Sequence, residues 1–151
     1  IAYFPIGNEV NIRKFLEFVI KIKKLGFVIL PKVINNTEMK FFYVNDLENQ
    51  IQKCYKNLLF EPILELKEFD FCEKKNKQID LMIIPGVVFD QQCNRIGQGC
   101  GFYDRFLMNK NTKNLLKIGI GYDFQILEKI PNKTTDVPMD MLVSETKIYS
   151  R

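Results

Sequence analysis

Ile79-Asp80-Leu81-Met82-Ile83-Ile84-Pro85-Gly86-Val87-Val88-Phe89-Asp90, followed shortly by Asn94-Arg95-Ile96-Gly97-Gln98-Gly99-Cys100-Gly101-Phe102-Tyr103-Asp104-Arg105-Phe106-Leu107, is the stretch that decides the fold. Its opening residues are almost continuously apolar, as in a strand buried on both faces, and Pro85-Gly86 ends it. Gly97, Gly99 and Gly101 then alternate, and the residues from about Gly101 to Met108 read as a helix. Lys117-Ile118-Gly119-Ile120-Gly121-Tyr122 is the next strand. Strand, loop, helix, strand is the order of a parallel α/β unit, and in such sheets ligands bind beyond the carboxyl ends of the strands. A backbone this bare can approach a ligand closely and aim several N–H groups at an anion. The helix start that follows also favours negative charge. The loop therefore reads as a phosphate-binding loop.

Upstream, Ile1-Ala2-Tyr3-Phe4 reads as a short strand ended by Pro5 and Gly7. Asn11 is placed to cap a helix running to Leu25, with Ile12, Phe15, Leu16, Val19 and Ile20 on one face. Phe27-Val28-Ile29-Leu30 is a second apolar strand, closed by Pro31. This βαβ pattern predicts a parallel sheet covered on both faces. Met39–Val44 reads as a strand and Asp46–Leu59 as a helix or turn, broken by Phe60-Glu61-Pro62. Residues 67–78 are charged and without periodicity, and read as a mobile surface connection. Ile126–Ile130 reads as one helical turn, and Leu142–Thr146 with Lys147–Tyr149 as a terminal strand or hairpin.

A length of 151 residues suits one domain over residues 1–151, long enough for a hydrophobic core without disulfides. Hydrophobic residues make up 46% and charged residues 26%, the balance of a soluble globular protein. A net charge of +4 suits an anionic ligand. No dense Lys/Arg block marks a nucleic-acid arm, and Glu73-Lys74-Lys75-Asn76-Lys77 reads as a solvated loop. Histidine is absent, which excludes His-based triads, His–metal sites and imidazole bases. The four cysteines show no C-x-x-C or zinc spacing, so free thiols in a reducing compartment are expected. No apolar run of membrane-spanning length and no signal-peptide pattern is found, so no membrane partner and a cytoplasmic location are expected. The chain opens on Ile1 rather than Met and reads as a fragment lacking an N-terminal segment.

The glycine loop is not a Walker A sequence, because no Lys-Ser/Thr pair follows its last glycine. Nor does it match the G-x-G-x-x-G dinucleotide fingerprint. What sets it apart from a tight surface turn is the company of Arg95, Tyr103, Asp104 and Arg105. Asp104 is a candidate Mg²⁺ ligand against nucleotide phosphates, or else a first-turn acid placed for the helix dipole. Asp140 is a second candidate, or else a turn acid after Pro138. Cys100 is most simply a small residue that fits, with a thiolate nucleophile at a helix start as the alternative. Glu9 is placed to bind a polar ligand group, or is an acid near a helix start.

Pro85–Asp90 with Asn94–Leu107 resembles the signature of the 5-formyltetrahydrofolate cyclo-ligase family, also called 5,10-methenyltetrahydrofolate synthetases. Tyr3-Phe4-Pro5 with Glu9-Val10, Leu30-Pro31-Lys32-Val33, Phe60-Glu61-Pro62, Ile118–Gln125 and Asp136-Val137-Pro138-Met139-Asp140 fall in the family's order, so the resemblance covers nearly the whole chain. It implies a three-layer Rossmann-like α/β fold, an open and mostly parallel sheet with helices on both faces. It also implies an ATP- and Mg²⁺-dependent enzyme that converts 5-formyltetrahydrofolate, free or polyglutamylated, to 5,10-methenyltetrahydrofolate with release of ADP and phosphate. In that scheme the formyl oxygen attacks the γ-phosphate and N10 closes onto the activated carbon, so no protein nucleophile is needed and no catalytic residue is assigned. By the resemblance, Arg95, Ile96, Gly97, Gln98, Gly99, Cys100, Gly101, Phe102 and Tyr103 form the ATP loop. Gln98 through Phe102 also border the folate, Asp104 and Asp140 hold Mg²⁺, and Glu9 meets the pterin edge with Phe4 and Pro5 nearby. Tyr122 is added as a wall of the folate site because it is an aromatic residue at a strand's carboxyl end. A monomer is expected.

Three departures from the family stand out. Its N-terminal helix, which contributes basic residues to ATP binding, is not in this sequence. Cys100 stands where relatives often have Gly, Ala or Lys, and Thr135 where many carry His. Other readings are a catalytically impaired nucleotide- and folate-binding protein, a non-enzymatic folate-binding module, and an unrelated α/β phosphate-binding domain.

Overall fold

Helix α1, Arg13–Lys21, opens the first of two units into which the chain divides, Ile1–Asp70 and Phe71–Arg151. The computed structural model describes residues 1–22, 26–54, 59–71, 81–109 and 112–151. Around α1, Ile12 and Leu16 are buried while Phe15, expected on the same face, is 46% exposed. The buried stripe is thus narrower than the apolar spacing predicts. Asn11 accepts the Arg13 amide on its Oδ1 at 3.1 Å, but the boundary residue is Ile12, whose side chain has no oxygen to cap with. Residues 23–25, the expected last turn, lie outside the described residues.

Strands β1 (Val28–Val33) and β2 (Met39–Val44) pair antiparallel, from Val28 opposite Val44 to Val33 opposite Met39. The strand expected over 39–44 is thus present, as the hairpin partner of β1. Ile1–Phe4 is not a strand, although the Ala2 amide donates to the Ile29 carbonyl at 3.0 Å. The parallel βαβ arrangement expected here fails at that first segment, and the β1–β2 turn has its own chemistry: Asn35 Oδ1 accepts the amides of Thr37 and Glu38, both at 2.9 Å, and so reverses the chain at once. Pro31 lies inside β1 instead of ending it.

Strands β3 (Ile51–Cys54) and β4 (Leu59–Pro62) form a second antiparallel pair. The expected helix or turn over 46–59 is thus a turn and a strand, with residues 55–58 outside the described residues, and Phe60-Glu61-Pro62 is strand and not a break. Two short motifs meet here. Lys32 Nζ donates to the Pro62 carbonyl at 2.8 Å and lies 3.6 Å from Glu61 Oε2, while Glu61 Oε1 accepts the Val33 amide at 3.1 Å. Both charges are buried, which is tolerable because each is paired and hydrogen-bonded. Residues 67–70 are tied down as well: the Tyr43 amide donates to the Lys67 carbonyl and the Phe69 amide to the Phe41 carbonyl. Residues 72–80, which include Ile79 and Asp80 of the expected strand, lie outside the described residues.

The second unit holds β5 (Leu81–Pro85), β6 (Val88–Asp90), β7 (Arg95–Ile96), α2 (Phe102–Leu107), β8 (Leu116–Ile120), β9 (Ile126–Leu127), β10 (Met141–Val143) and β11 (Ile148–Ser150). Its main sheet has the order β11-β10-β8-β5, with β5, β8 and β10 parallel and β11 antiparallel to β10. This is the α/β unit that the glycine-loop stretch predicts, in a mixed sheet. A smaller sheet has the order β7-β6-β9. The expected helical turn over 126–130 is instead a 3-10 turn, Asp123–Gln125, that runs into β9, because Ile126 and Leu127 pair with Phe89 and Asp90. The terminal hairpin forms as expected. Among the described residues no helix is long and apolar enough to cross a membrane.

Phe89 is the centre of this unit's packing and is fully buried. A Cβ on Gly86, Gly119 or Gly121 would come to 2.5, 2.8 or 2.9 Å from its ring. The three glycines therefore leave room for this ring, which would be the nearest neighbour of a Cβ at each of them.

Candidate functional site

The register Pro85 opposite Ile120 sets the carboxyl ends of β5 and β8 side by side. Gln125, in the turn after β8, binds that edge: its Nε2 donates to the carbonyls of Gly86 (3.0 Å) and Val87 (2.9 Å), and its Oε1 accepts the Tyr122 amide at 2.8 Å. Tyr122 stands just past β8, half-buried, its ring stacked on Phe124 with centroids 5.5 Å apart.

The hairpin of β6 and β7 carries the glycine loop, and Asp90 organises its turn. The fully buried carboxylate accepts the Asn94 side-chain amide (2.9 Å) and the backbone amides of Asn94 (2.9 Å), Gln92 (3.0 Å) and Ile130 (3.2 Å). Burial alone would raise this carboxyl, but these bonds outweigh it and hold the group below its ordinary value.

Arg95 follows directly and points inward, with its side chain 3% exposed. Its NH2 donates to Asp104 Oδ2 at 3.0 Å and its NH1 to the Pro85 carbonyl at 3.3 Å. Its guanidinium carbon lies 5.4 Å from the Tyr103 ring centroid, and its buried Nε has no hydrogen-bond partner. A Cβ on Gly97 would sit 2.6 Å from the Arg95 NH1, so the first glycine of the loop serves the arginine's packing. Gly99 and Gly101 adopt φ of +91° and +65°, the left-handed region open to glycine, and the latter leads into α2. Ile96 is half-buried; Gln98, Gly99 and Cys100 are exposed; Phe102 is half-buried, with the Arg105 guanidinium 5.1 Å from its ring centroid.

Asp104, in the first turn of α2, is held from both sides. Arg95 takes Oδ2, and the Val137 amide donates to Oδ1 at 3.3 Å. Asp140 stands at the entry to β10, where its Oδ2 accepts the Lys117 amide at 2.7 Å and pairs with Lys117 Nζ at 2.8 Å. The two carboxylates thus have different cationic partners and share no hydrogen-bond donor. Among the described residues no group of three or more Cys, Asp and Glu side chains is placed to hold a metal ion.

The remaining candidates lie in the first unit. Glu9 closes a turn with Ile6: the Ile6 amide donates to Glu9 Oε2 and the Glu9 amide to the Ile6 carbonyl, both at 3.1 Å. Burial pushes the half-buried carboxyl up to about 7, against the opposing pull of the Ile6 amide. Phe4 and Pro5 are half-buried, and the Phe4 ring centroid lies 5.9 Å from that of Phe60, an exposed side chain to which the sequence assigns no role. Asp90 and Gln125 were likewise unassigned. Both sit inside quoted motifs, and besides local bonds each reaches distant backbone, Asp90 at Ile130 and Gln125 at Gly86 and Val87.

This arrangement defines an α/β protein with a glycine-rich loop at the carboxyl edge of parallel strands, followed by an acid clamped by a buried arginine. The model of the 5-formyltetrahydrofolate cyclo-ligase family matches residues 1–145, and the chain belongs to that family of enzymes. The chain is 34% identical over 143 residues to the 5-formyltetrahydrofolate cyclo-ligase of Mycoplasma pneumoniae, covering 95% of this chain and 70% of that protein. With the Haemophilus influenzae cyclo-ligase the identity is 29% over 142 residues, covering 93% of this chain and 73% of the relative. The solved structure of Aquifex aeolicus 5,10-methenyltetrahydrofolate synthetase matches with a TM-score of 0.73 at 30% identity, covering 99% of this chain and 69% of that one.

Proposed function

We propose that this chain catalyses the ATP- and Mg²⁺-dependent conversion of 5-formyltetrahydrofolate to 5,10-methenyltetrahydrofolate, releasing ADP and phosphate. Family membership over residues 1–145 supports the substrate and product. The observation that carries the nucleotide is the bare loop after β7, anchored to the end of β5 by the Arg95–Pro85 bond and running directly into Asp104. In this reading the segment Arg95–Tyr103 cradles the ATP phosphates, chiefly through backbone amides around Gly97, Gly99 and Gly101. The formyl oxygen forms its bond to the γ-phosphorus as the bond to the ADP oxygen breaks. N10 then forms its bond to the activated carbon and gives up its proton to solvent, and the carbon–oxygen bond breaks as phosphate leaves. The protein's work is to hold two substrates in line and to stabilise the transferring charge.

The donor set fits Mg²⁺, which takes one or two carboxylates together with phosphate oxygens and water. Asp104 is 22% exposed and has one donor on each oxygen, which leaves a lone pair on each. Asp140 is the second acidic position and would exchange the Lys117 ammonium for the cation. When bound, the ion would neutralise charge on the phosphates. Glu9 is assigned to the pterin's hydrogen-bonding edge, with Phe4 and Pro5 beside it; Gln98–Phe102 border the folate and Tyr122 walls it. The finer fold is read as three-layer and Rossmann-like, with helices on both faces. The protein is read as a cytoplasmic monomer that takes free or polyglutamylated folate and has no nucleic-acid or membrane partner.

The test incubates the protein with 5-formyltetrahydrofolate and Mg-ATP and follows methenyltetrahydrofolate by its absorbance. Absence of product from folded protein would overturn the reading.

Glu9 yields a pH prediction. Its carboxyl stands at about 7 in the fold against an ordinary 4.5, so folding favours the protonated form. Its contribution to stability is fully present below pH 4.5 and is lost as the pH rises through 7. Glu9→Gln should therefore raise the melting temperature at pH 8 and leave it nearly unchanged at about pH 4. Substrate affinity should move the other way, because the pterin's N–H groups need an ionised acceptor: the unsubstituted protein gains folate affinity from pH 6 to 8, and Glu9→Gln does not. Parallel pH profiles for the two proteins would refute both assignments.

A further inference from the structure

We infer that Arg95 is a positioning residue that holds Asp104 in place for the metal–nucleotide complex, and that its guanidinium makes no contact with phosphate. This rests on the proposed ATP- and Mg²⁺-dependent reading of the loop and assigns one residue within it. An arginine ahead of a glycine loop invites the opposite role, a cation reaching for phosphate. The geometry commits it elsewhere. The side chain is 3% exposed, NH1 is spent on the Pro85 carbonyl at 3.3 Å, NH2 on Asp104 Oδ2 at 3.0 Å, and the guanidinium carbon lies 5.4 Å from the Tyr103 ring centroid. A Cβ on Gly97 would fall 2.6 Å from NH1, so a side chain there would press on the guanidinium in its inward position. Turning the guanidinium toward a ligand in the loop would break both bonds and vacate a buried site.

What the arginine does from this position is fix a carboxylate. Asp104 is gripped on Oδ2 by Arg95 and on Oδ1 by the Val137 amide, which sets the plane of the group before any cation arrives. Partners that orient a metal ligand typically carry a large share of metal affinity. Lysine would not replace it, because one ammonium is not the planar fork that spans the Pro85 carbonyl and Asp104 together.

The test is titration calorimetry of the full chain with ATP in EDTA and with ATP in excess MgCl₂, for the unsubstituted protein, Arg95→Lys, Asp104→Asn and the double variant. Arg95→Lys should weaken Mg-ATP binding roughly 10–100-fold while metal-free ATP stays within about twofold. The double variant should bind Mg-ATP no worse than Asp104→Asn alone, because Arg95 acts through that carboxylate. Equal loss with and without Mg²⁺, or losses that add in the double variant, would show direct phosphate contact and overturn the inference. So would an Arg95→Lys protein that binds both forms normally. Should Arg95→Lys not fold, Asp104→Asn decides alone: an unaltered Mg²⁺ dependence leaves no carboxylate for Arg95 to position. Failure of the unsubstituted protein to bind Mg-ATP would remove the nucleotide reading itself, a result distinct from any of these.

Discussion

Asp104→Asn is expected to lower kcat/KM for methenyltetrahydrofolate formation by on the order of 10²-fold, about 2.7 kcal/mol of transition-state stabilisation. The fold should survive. Asparagine keeps an oxygen that can accept from Arg95 NH2 or the Val137 amide, which are the two bonds the aspartate makes. What disappears is the negative charge available to a cation on the phosphates. Raising MgCl₂ should recover part of the rate, since weakened placement is offset by mass action. Unaltered kcat/KM across a Mg²⁺ titration would remove Asp104 from the metal site. A matching fall in melting temperature would instead mark it as a structural partner of Arg95.

Phe89→Ala is expected to destabilise the protein by about 3–5 kcal/mol, read from urea unfolding. Its ring is fully buried, and Gly86, Gly119 and Gly121 all approach it more closely than any residue with a Cβ allows. Glycines bring no side chain to collapse into the vacated space, so the cavity should persist and the cost fall toward the upper end. The effect should reach the site, because Gly86 carries the carbonyl that Gln125 binds at the carboxyl edge of β5. A loss below about 1 kcal/mol would show that the niche relaxes and that the glycines serve some other purpose.

The elements that sequence alone located are those whose signal is local. The apolar run ending at Pro85, the glycine loop, helix α2, strand β8 and the terminal hairpin each follow from the order of residues within one segment. The N-terminal half was harder for a physical reason. Ile1–Phe4, α1 and β1 have the spacing of a βαβ unit, yet Ile1–Phe4 forms no strand and only the Ala2 amide bonds to β1, at Ile29, while Asn35 turns the chain back so that β2 pairs with β1. The apolar spacing placed Phe15 with Ile12 and Leu16 on one face but told nothing of its exposure, which depends on what packs against that face.

For the site, the sequence by itself determined the family and the loop, together with the candidate acids that follow from it. Glycines, an acid and aromatic residues in a fixed order are a local pattern, and that pattern recurs in proteins of one chemistry. The tertiary structure alone decided where each polar group is spent. It joined Lys32 to Glu61 and Pro62, set Asp90 under the Ile130 amide, tied Asp140 to Lys117 and turned Arg95 onto Asp104 and Pro85. These partners come from separate elements, and no local propensity encodes which buried donor will meet which acceptor. Burial requires each to find one, and the packed chain settles the choice.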